Sequence, residues 1–319
     1  MKALVTGVAG FIGSTLAERL IADGYEVVGV DCFTPYYDRL LKSRNLSVLL
    51  GSKRFMFHDS DLSQCALEPV LDGVDFVFHQ SGQPGVRSSW GHDFDDYLRH
   101  NVAVTQRILE SCRLRRDTVV VAASSSSVYG TASRYPTVET DSTNPVSPYG
   151  VTKLASEHLC SLYGKEFGLL TASLRYFTVF GPRQRPDMAM TRLIQAALLD
   201  EEFPMYGSGE QRRDFTYVDD VVEANLLVAD WLRKTREGGQ VFNVGNNSPV
   251  ALNEVVGIVE ELVGRRVKLR KLPRQEGDPL ETGAESSFLR ETVGWKSSTS
   301  TRVGLENQVA WFRGNMSPN

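Results

Sequence analysis

Tyr149 and Lys153 stand four residues apart in Tyr149-Gly150-Val151-Thr152-Lys153. On a helix that spacing places both on one face. A phenol with an ordinary pKa of about 10 becomes a useful base near neutrality only when positive charge stabilises its anion. Lys153 supplies one such charge. A hydroxyl partner lies upstream in Ala123-Ser124-Ser125-Ser126-Ser127-Val128-Tyr129-Gly130. This run follows a strand-like segment, so one of its serines can share the proton of an alcohol with Tyr149. Oxidising or reducing that alcohol would require a hydride carrier.

The first apolar run leads into Gly7-Val8-Ala9-Gly10-Phe11-Ile12-Gly13. Glycines there let a diphosphate approach the backbone at the start of a helix, where N–H groups and the helix dipole favour negative charge. The spacing is GxxGxxG, not the GxGxxG of the dinucleotide fingerprint. Asp31 ends the next strand, where a carboxylate can accept bonds from both hydroxyls of a ribose. Cys32 and Phe33 follow, not an arginine able to pair with a 2′-phosphate, so NAD is favoured over NADP. Asp61 and Leu62, after the third strand, could flank the adenine.

Short apolar runs that could carry these groups occur at residues 2–6, 26–31, 54–58, 75–79, 118–123, 169–176 and 240–244. They read as strands covered on both faces. Helical patterns lie between them, at residues 11–22 and 96–113 for example. The alternation predicts an α/β chain, a Rossmann-type doubly wound parallel sheet. After Gly181 the pattern is interrupted by Gly181-Pro182, Phe203-Pro204, Gly207-Ser208-Gly209 and Leu272-Pro273. Residues 1–180 are therefore expected to form the NAD-binding domain, with a return to its sheet near 212–247. Residues 181–319 are expected to form mainly a smaller substrate-binding lobe, with a frayed tail at 315–319.

Composition sets limits. The chain has 319 residues, 41% hydrophobic and 23% charged, with a net charge of -4. That balance argues against a general nucleic-acid binder. No run approaches a membrane span, and the N-terminus lacks a signal-cleavage pattern. Cys32, Cys65, Cys112 and Cys160 form no CxxC and have no histidine cluster beside them in sequence. Neither a metal site nor a disulfide framework is expected, and reduced thiols fit a cytoplasmic protein.

Taken together, GVAGFIG, VVGVD, the run ending SVYG, YGVTK, LRYFTVFGP and RRDFTYVDD resemble the extended short-chain dehydrogenase/reductases of the nucleotide-sugar epimerase/dehydratase group, over nearly the whole length. The resemblance implies that Ser125, Tyr149 and Lys153 are catalytic. It implies NAD contacts from Gly7, Gly10, Phe11, Ile12, Gly13, Asp31, Asp61, Leu62, Gln80, Ser81, Gly82, Asn101, Ser124, Tyr149, Lys153 and Tyr176. On the substrate side it implies Arg213 at the nucleotide diphosphate and Asp278 near the nucleotide ribose. Gln275 sits where some relatives carry arginine. The resemblance further implies a homodimer, with the helices at 96–113 and 149–167 pairing across a two-fold axis as a four-helix bundle.

Relatives that eliminate water place Asp-Glu where this chain has Ser126 and Ser127, and decarboxylating relatives commonly place Glu at the second position. An epimerase needs neither acid. Asp31-Cys32-Phe33-Thr34-Pro35-Tyr36-Tyr37-Asp38 with Leu41-Lys42, Gln83-Pro84-Gly85-Val86-Arg87, and Arg185-Pro186-Asp187-Met188-Ala189 after Thr178 resemble the UDP-glucuronate 4-epimerases. Substrate contacts are thus expected from Arg87, Ser126, Ser127, Thr178, Arg185, Arg213, Gln275 and Asp278. Thr178 and Arg185 could together hold a sugar carboxylate, since an arginine fork suits a carboxylate. The expected activity is NAD-dependent interconversion of UDP-glucuronate and UDP-galacturonate through a 4-keto intermediate. The alternatives are a UDP-glucose/UDP-galactose 4-epimerase, a UDP-glucuronate decarboxylase and a non-catalytic NAD-binding regulator.

Overall fold

The computed structural model describes residues 1–115, 117–273 and 281–315. Gln275 and Asp278 lie outside the described residues, as do residues 316–319.

Seven strands form one parallel sheet: β1 (Lys2–Thr6), β2 (Glu26–Asp31), β3 (Phe55–Asp59), β4 (Phe76–His79), β5 (Val119–Ser125), β6 (Leu170–Tyr176) and β7 (Gln240–Val244). Their order is β7-β6-β5-β4-β1-β2-β3. Both faces are covered, so each strand is a nearly continuous apolar run; β6 is buried along its whole length. The order reverses direction beside β1, between β4 and β2. A crevice opens there at the carboxyl ends of the strands. The registers align those ends: Thr6 pairs with Val30 and with His79, and Ser125 pairs with Tyr176.

Strand ends differ from the sequence expectation by one or two residues. β5 runs to Ser125 instead of Ala123, because its ladder with β6 continues to Tyr176. The helix expected at 96–113 is not regular. A short turn at Phe94–Tyr97 leads into a π-helical segment, Leu98–Ala103, and only then into an α-helix, Val104–Cys112. The widened turns free the Asn101 carbonyl, which accepts the Thr105 hydroxyl at 2.5 Å and the Ser156 hydroxyl at 2.8 Å.

Two helices aim residues at the crevice. The helix α1 (Phe11–Ala22) begins at Gly10, which offers no side-chain cap, so its first N–H groups remain available at the loop. The helix α2 (Pro148–Phe167) has stronger local signals. Ser147 caps it by accepting from the Gly150 N–H at 3.1 Å, Pro148 opens its first turn, and Gly168 stops it in the left-handed region at φ 67°.

The smaller lobe consists of short pieces. Thr178–Phe180 pairs with Phe215–Tyr217, Glu202–Tyr206 with Lys268–Leu272, and Arg212–Arg213 with Val250–Ala251. Helices Ala189–Leu199, Leu252–Val263 and Thr301–Asn315 pack around them. Side-chain ties compensate for the small sheets. Asp214 accepts from the N–H groups of Asn246, Asn247 and Ala284. Asp220 holds Ser297, Ser298 and Thr299.

Candidate active site

The glycine loop closes on itself. A Cβ on Gly13 would lie 2.2 Å from the Gly7 carbonyl oxygen, and one on Gly7 would lie 2.8 Å from the Ser81 backbone. Gly7 also has φ 66°, so side chains are excluded twice over. One groove is lined by Gly7, Gly10, Phe11, Ile12, Gly13, Asp31, Asp61, Leu62, Gln80, Ser81 and Gly82. The carboxylate of Asp31 accepts the Ala9 N–H at 3.0 Å and the Phe33 N–H at 2.8 Å. It therefore anchors the loop while facing the groove. Burial pushes its pKa up, and those backbone donors and Lys42 offset part of the rise.

Two expected cofactor contacts are placed differently. The Ser124 hydroxyl is buried and donates to Glu157 at 2.9 Å, away from the groove. Glu157 is held in turn by Arg175 at 2.5 and 2.9 Å. Consecutive strand residues face opposite sides of a sheet, so aiming Ser125 at the site turns Ser124 away from it. Tyr176 lies beneath the groove. Its hydroxyl meets Gln80 at 3.2 Å and Asn225 at 3.0 Å, and Gln80 donates to Asn225 at 3.0 Å. Tyr176 thus braces a lining residue.

The Tyr149 phenol lies near the Ser125 side chain. Its ring meets Tyr97 edge-on at 6.3 Å. Burial raises the pKa of Tyr149; the nearby Ser125 hydroxyl and the Arg185 charge offset only part of this. Lys153, one turn further along α2, is buried and donates to the Ala123 carbonyl at 3.0 Å. Burial lowers its pKa to about 8. Gly82 fits only without a side chain: a Cβ would lie 2.7 Å from Asn101 Oδ1 and 3.2 Å from Lys153 Nζ. Asn101 fixes that loop by accepting the Gln83 N–H at 2.7 Å and donating to Thr152 at 3.0 Å.

A network that no sequence pattern marks lies beneath. His79 is fully buried, and burial with the nearby Lys153 charge lowers its pKa to about 3. It is a neutral imidazole, and its neighbours select the tautomer. Thr105 donates to the Asn101 carbonyl, so it accepts from His79 Nε2–H at 3.0 Å. Thr6 accepts the Ser81 N–H at 3.1 Å and donates to His79 Nδ1 at 2.8 Å. This chain joins the end of β1 to the π turn and holds Ser81 and Asn101 on either side of Gly82.

Next to the groove lies a cleft lined by Arg87, Thr178, Asp187, Arg192, Tyr206 and Arg213. Arg87 sits over the Tyr206 ring at 5.1 Å. Arg213 donates to the Arg212 carbonyl at 2.8 Å. Tyr36 lines both cavities, whereas Arg185 lines the groove and not this cleft. Ser126 and Ser127 form the turn after β5; the Ser127 N–H donates to Ser125 Oγ at 3.1 Å.

One histidine that is distant in sequence from the cysteines comes near one of them in space. Cys32, Asp61 and His100 meet at the groove wall with their ligand atoms within 4.8 Å of one another. They come from the ends of two strands and from the π turn, so sequence spacing does not reveal the group. Three such residues with nothing further to mark a ligand do not make a site, and no metal centre is assigned.

A sequence profile of the NAD dependent epimerase/dehydratase family matches residues 3–245. The chain belongs to this family. It is similar to an uncharacterized UDP-glucose epimerase, YtcB, of Bacillus subtilis (strain 168), at 42% identity over 98% of each chain. It is similar to a Bacillus cereus UDP-glucuronic acid 4-epimerase solved with UDP-glucuronic acid and NAD, at TM-score 0.93 and 38% identity, covering 98% of this chain and 99% of that one. A third similar structure is MoeE5 with UDP-glucose and NAD, at TM-score 0.89 and 41% identity, covering 99% and 100%. The protein is accordingly an NAD-dependent nucleotide-sugar epimerase. The groove suits that cofactor: the loop excludes side chains where a diphosphate would lie, the N–H groups opening α1 have no side-chain cap, and Asp31 ends the neighbouring strand. Among the described residues, no helix is long and apolar enough to cross a membrane.

Proposed function

We propose that the protein interconverts UDP-glucuronate and UDP-galacturonate through a 4-keto intermediate, with Tyr149 as the base. The place of Arg185 carries this reading. Its guanidinium lines the groove and lies close enough to Tyr149 to counter part of the rise in the phenol's pKa. A uronate bound with its C4 hydroxyl at Tyr149 has its carboxylate two carbons away, within the reach of such an arginine.

NAD held by the loop of Gly7, Gly10 and Gly13 and by Asp31 would supply a hydride acceptor and donor there. The protein's own groups handle the proton. Tyr149 Oη takes it from the C4 hydroxyl, and the Ser125 hydroxyl shares it and fixes the oxygen's position. Lys153, buried beside Gly82, adds positive charge that favours the phenolate. With the ketone's other face presented for reduction, Tyr149 would give the proton back to the C4 oxygen, and C4 would be inverted. Ser126 and Ser127 occupy the turn where elimination or decarboxylation would call for acids, which supports simple epimerisation.

One observation favours a second reading, a UDP-glucose/UDP-galactose 4-epimerase: the Arg185 fork is already paired with Asp187 at 2.9 Å on both arms. Supplying UDP-glucuronate without added NAD and identifying the products separates the two. UDP-galacturonate without carbon dioxide is expected. Exclusive use of UDP-glucose would establish the second reading, and pentose with carbon dioxide would establish a decarboxylase.

A further inference from the structure

Arg185 and Asp187 are joined as a closed fork, Nε to Oδ1 and Nη2 to Oδ2, each at 2.9 Å. Asp187 Oδ2 also accepts the Tyr36 hydroxyl at 3.3 Å. The Arg185 guanidinium lies over the Tyr36 ring, 5.6 Å from its centroid. Pro186 fixes φ between the pair, and rotation of either side chain opens the fork. The two partners face different spaces. Arg185 lines the groove of the glycine loop, Asp187 lines the adjoining cleft with Thr178 and Arg213, and Tyr36 touches both. The side chains are 24% and 39% exposed, so the fork is shielded yet reachable.

We propose that Asp187 is the exchange partner of Arg185, releasing the guanidinium when a substrate carboxylate docks and taking it back while that carboxylate is away. This rests on the uronate reading above. Epimerisation requires the keto intermediate to present its second face, so a carboxylate held by Arg185 must detach and rebind. A guanidinium left unpaired in this shielded wall would resist that detachment. With Asp187 beside it, one anion replaces another, and the arginine keeps a bidentate partner throughout. The same exchange limits how tightly a uronate is held before it turns. A neutral sugar has no anion to exchange and leaves the fork closed. Asp187 is thus a positioning residue that acts through Arg185.

Asp187→Asn keeps the shape and can still accept the Tyr36 hydroxyl, but it removes the competing charge. In the holoenzyme, KM and kcat for UDP-glucuronate should fall together, each by about three- to tenfold, a fraction of what a charge-assisted pair contributes. KM for UDP-glucose should not fall. Asp187→Ser, neutral and smaller, should move the uronate constants in the same direction and stands in if the first variant does not fold. Asp187→Glu retains an anion and should move back towards the wild type. A folded, NAD-loaded Asp187→Asn or Asp187→Ser enzyme whose uronate KM is unchanged or higher overturns the exchange. A wild-type enzyme that uses UDP-glucose but ignores UDP-glucuronate overturns the uronate reading, and the exchange with it.

Discussion

Replacing Lys153 by methionine keeps most of the stem and removes the charge. Burial holds the ammonium at about 8 instead of the ordinary 10.5. When the lysine is charged both folded and unfolded, that lowering corresponds to about 3 kcal/mol of destabilisation of the cofactor-free fold. The sign follows from proton binding. Between pH 8 and 10.5 the unfolded chain holds the proton and the folded chain does not, so stability rises with pH across that window. Below it the penalty is complete; above it the penalty is gone. The substitution also deprives the Ala123 carbonyl of the donor that now reaches it at 3.0 Å, a loss of about 1–3 kcal/mol. At pH 7 the two terms nearly offset, and the variant should match or slightly exceed the wild type. By pH 10.5 the wild type should have gained about 3 kcal/mol on the variant. Urea unfolding of both cofactor-stripped proteins at pH 7 and pH 10.5 measures this directly. Turnover should be lost in the variant, because the charge that favours the Tyr149 phenolate is gone. A stability difference that does not change with pH would show that the buried ammonium carries no penalty, and would refute the electrostatic account of Lys153.

Tyr149→Phe should lower turnover by at least about 10²-fold while NAD content stays near that of the wild type, since only the hydroxyl is removed; near-normal turnover would place the base elsewhere. The enzyme should respond to NAD far better than to NADP, because Asp31 lines the groove with its carboxylate, and an equal response to NADP would defeat that argument. A homodimer is expected through α2 and the helical segment before it, where Leu98, Val151 and Leu162 are 42%, 49% and 50% exposed. Val151 and Leu162 are three helical turns apart on one face, so Leu162→Asp should shift the sedimenting species towards monomer. A dilute wild-type sample that is monomeric and fully active would refute a functional dimer.

The strands were legible because each is a short apolar run bounded by turn residues, and the return of residues 240–244 to the sheet was legible for the same reason. Their registers were not. No local pattern shows that Thr6, His79 and Thr105 meet, since a buried imidazole in an apolar run looks like one more core position. The break in the helix at 98–103 had no composition cue; it becomes visible only when the Asn101 carbonyl receives two hydroxyls from outside its own ladder. The direction of the Ser124 hydroxyl was legible locally: strand alternation places it opposite Ser125, and it donates to Glu157. Arg185 was picked out for its possible substrate partner, whereas the structure pairs it two residues away with Asp187.

The two sides of the site are built differently, and the chemistry gives a reason. On the cofactor side each loop is fixed more than once: Asp31 holds Ala9 and Phe33, the neutral His79 links Thr6 to Thr105, and Asn101 clamps Gln83. The two His79 bonds are buried and join groups that stay uncharged, so little in them changes over the ordinary pH range. A cofactor that must return the hydride it received benefits from a groove that does not rearrange between the two transfers. On the sugar side a prominent contact among the described residues is the ion pair of Arg185 with Asp187, braced by the hydroxyl and ring of Tyr36. An ion pair of this kind can change partners without leaving the guanidinium uncompensated, while the released Asp187, 39% exposed, can turn to solvent. Under the proposed uronate reading, an intermediate that turns over between two hydride transfers calls for that combination, a fixed floor beneath the cofactor and an exchangeable hold on the sugar.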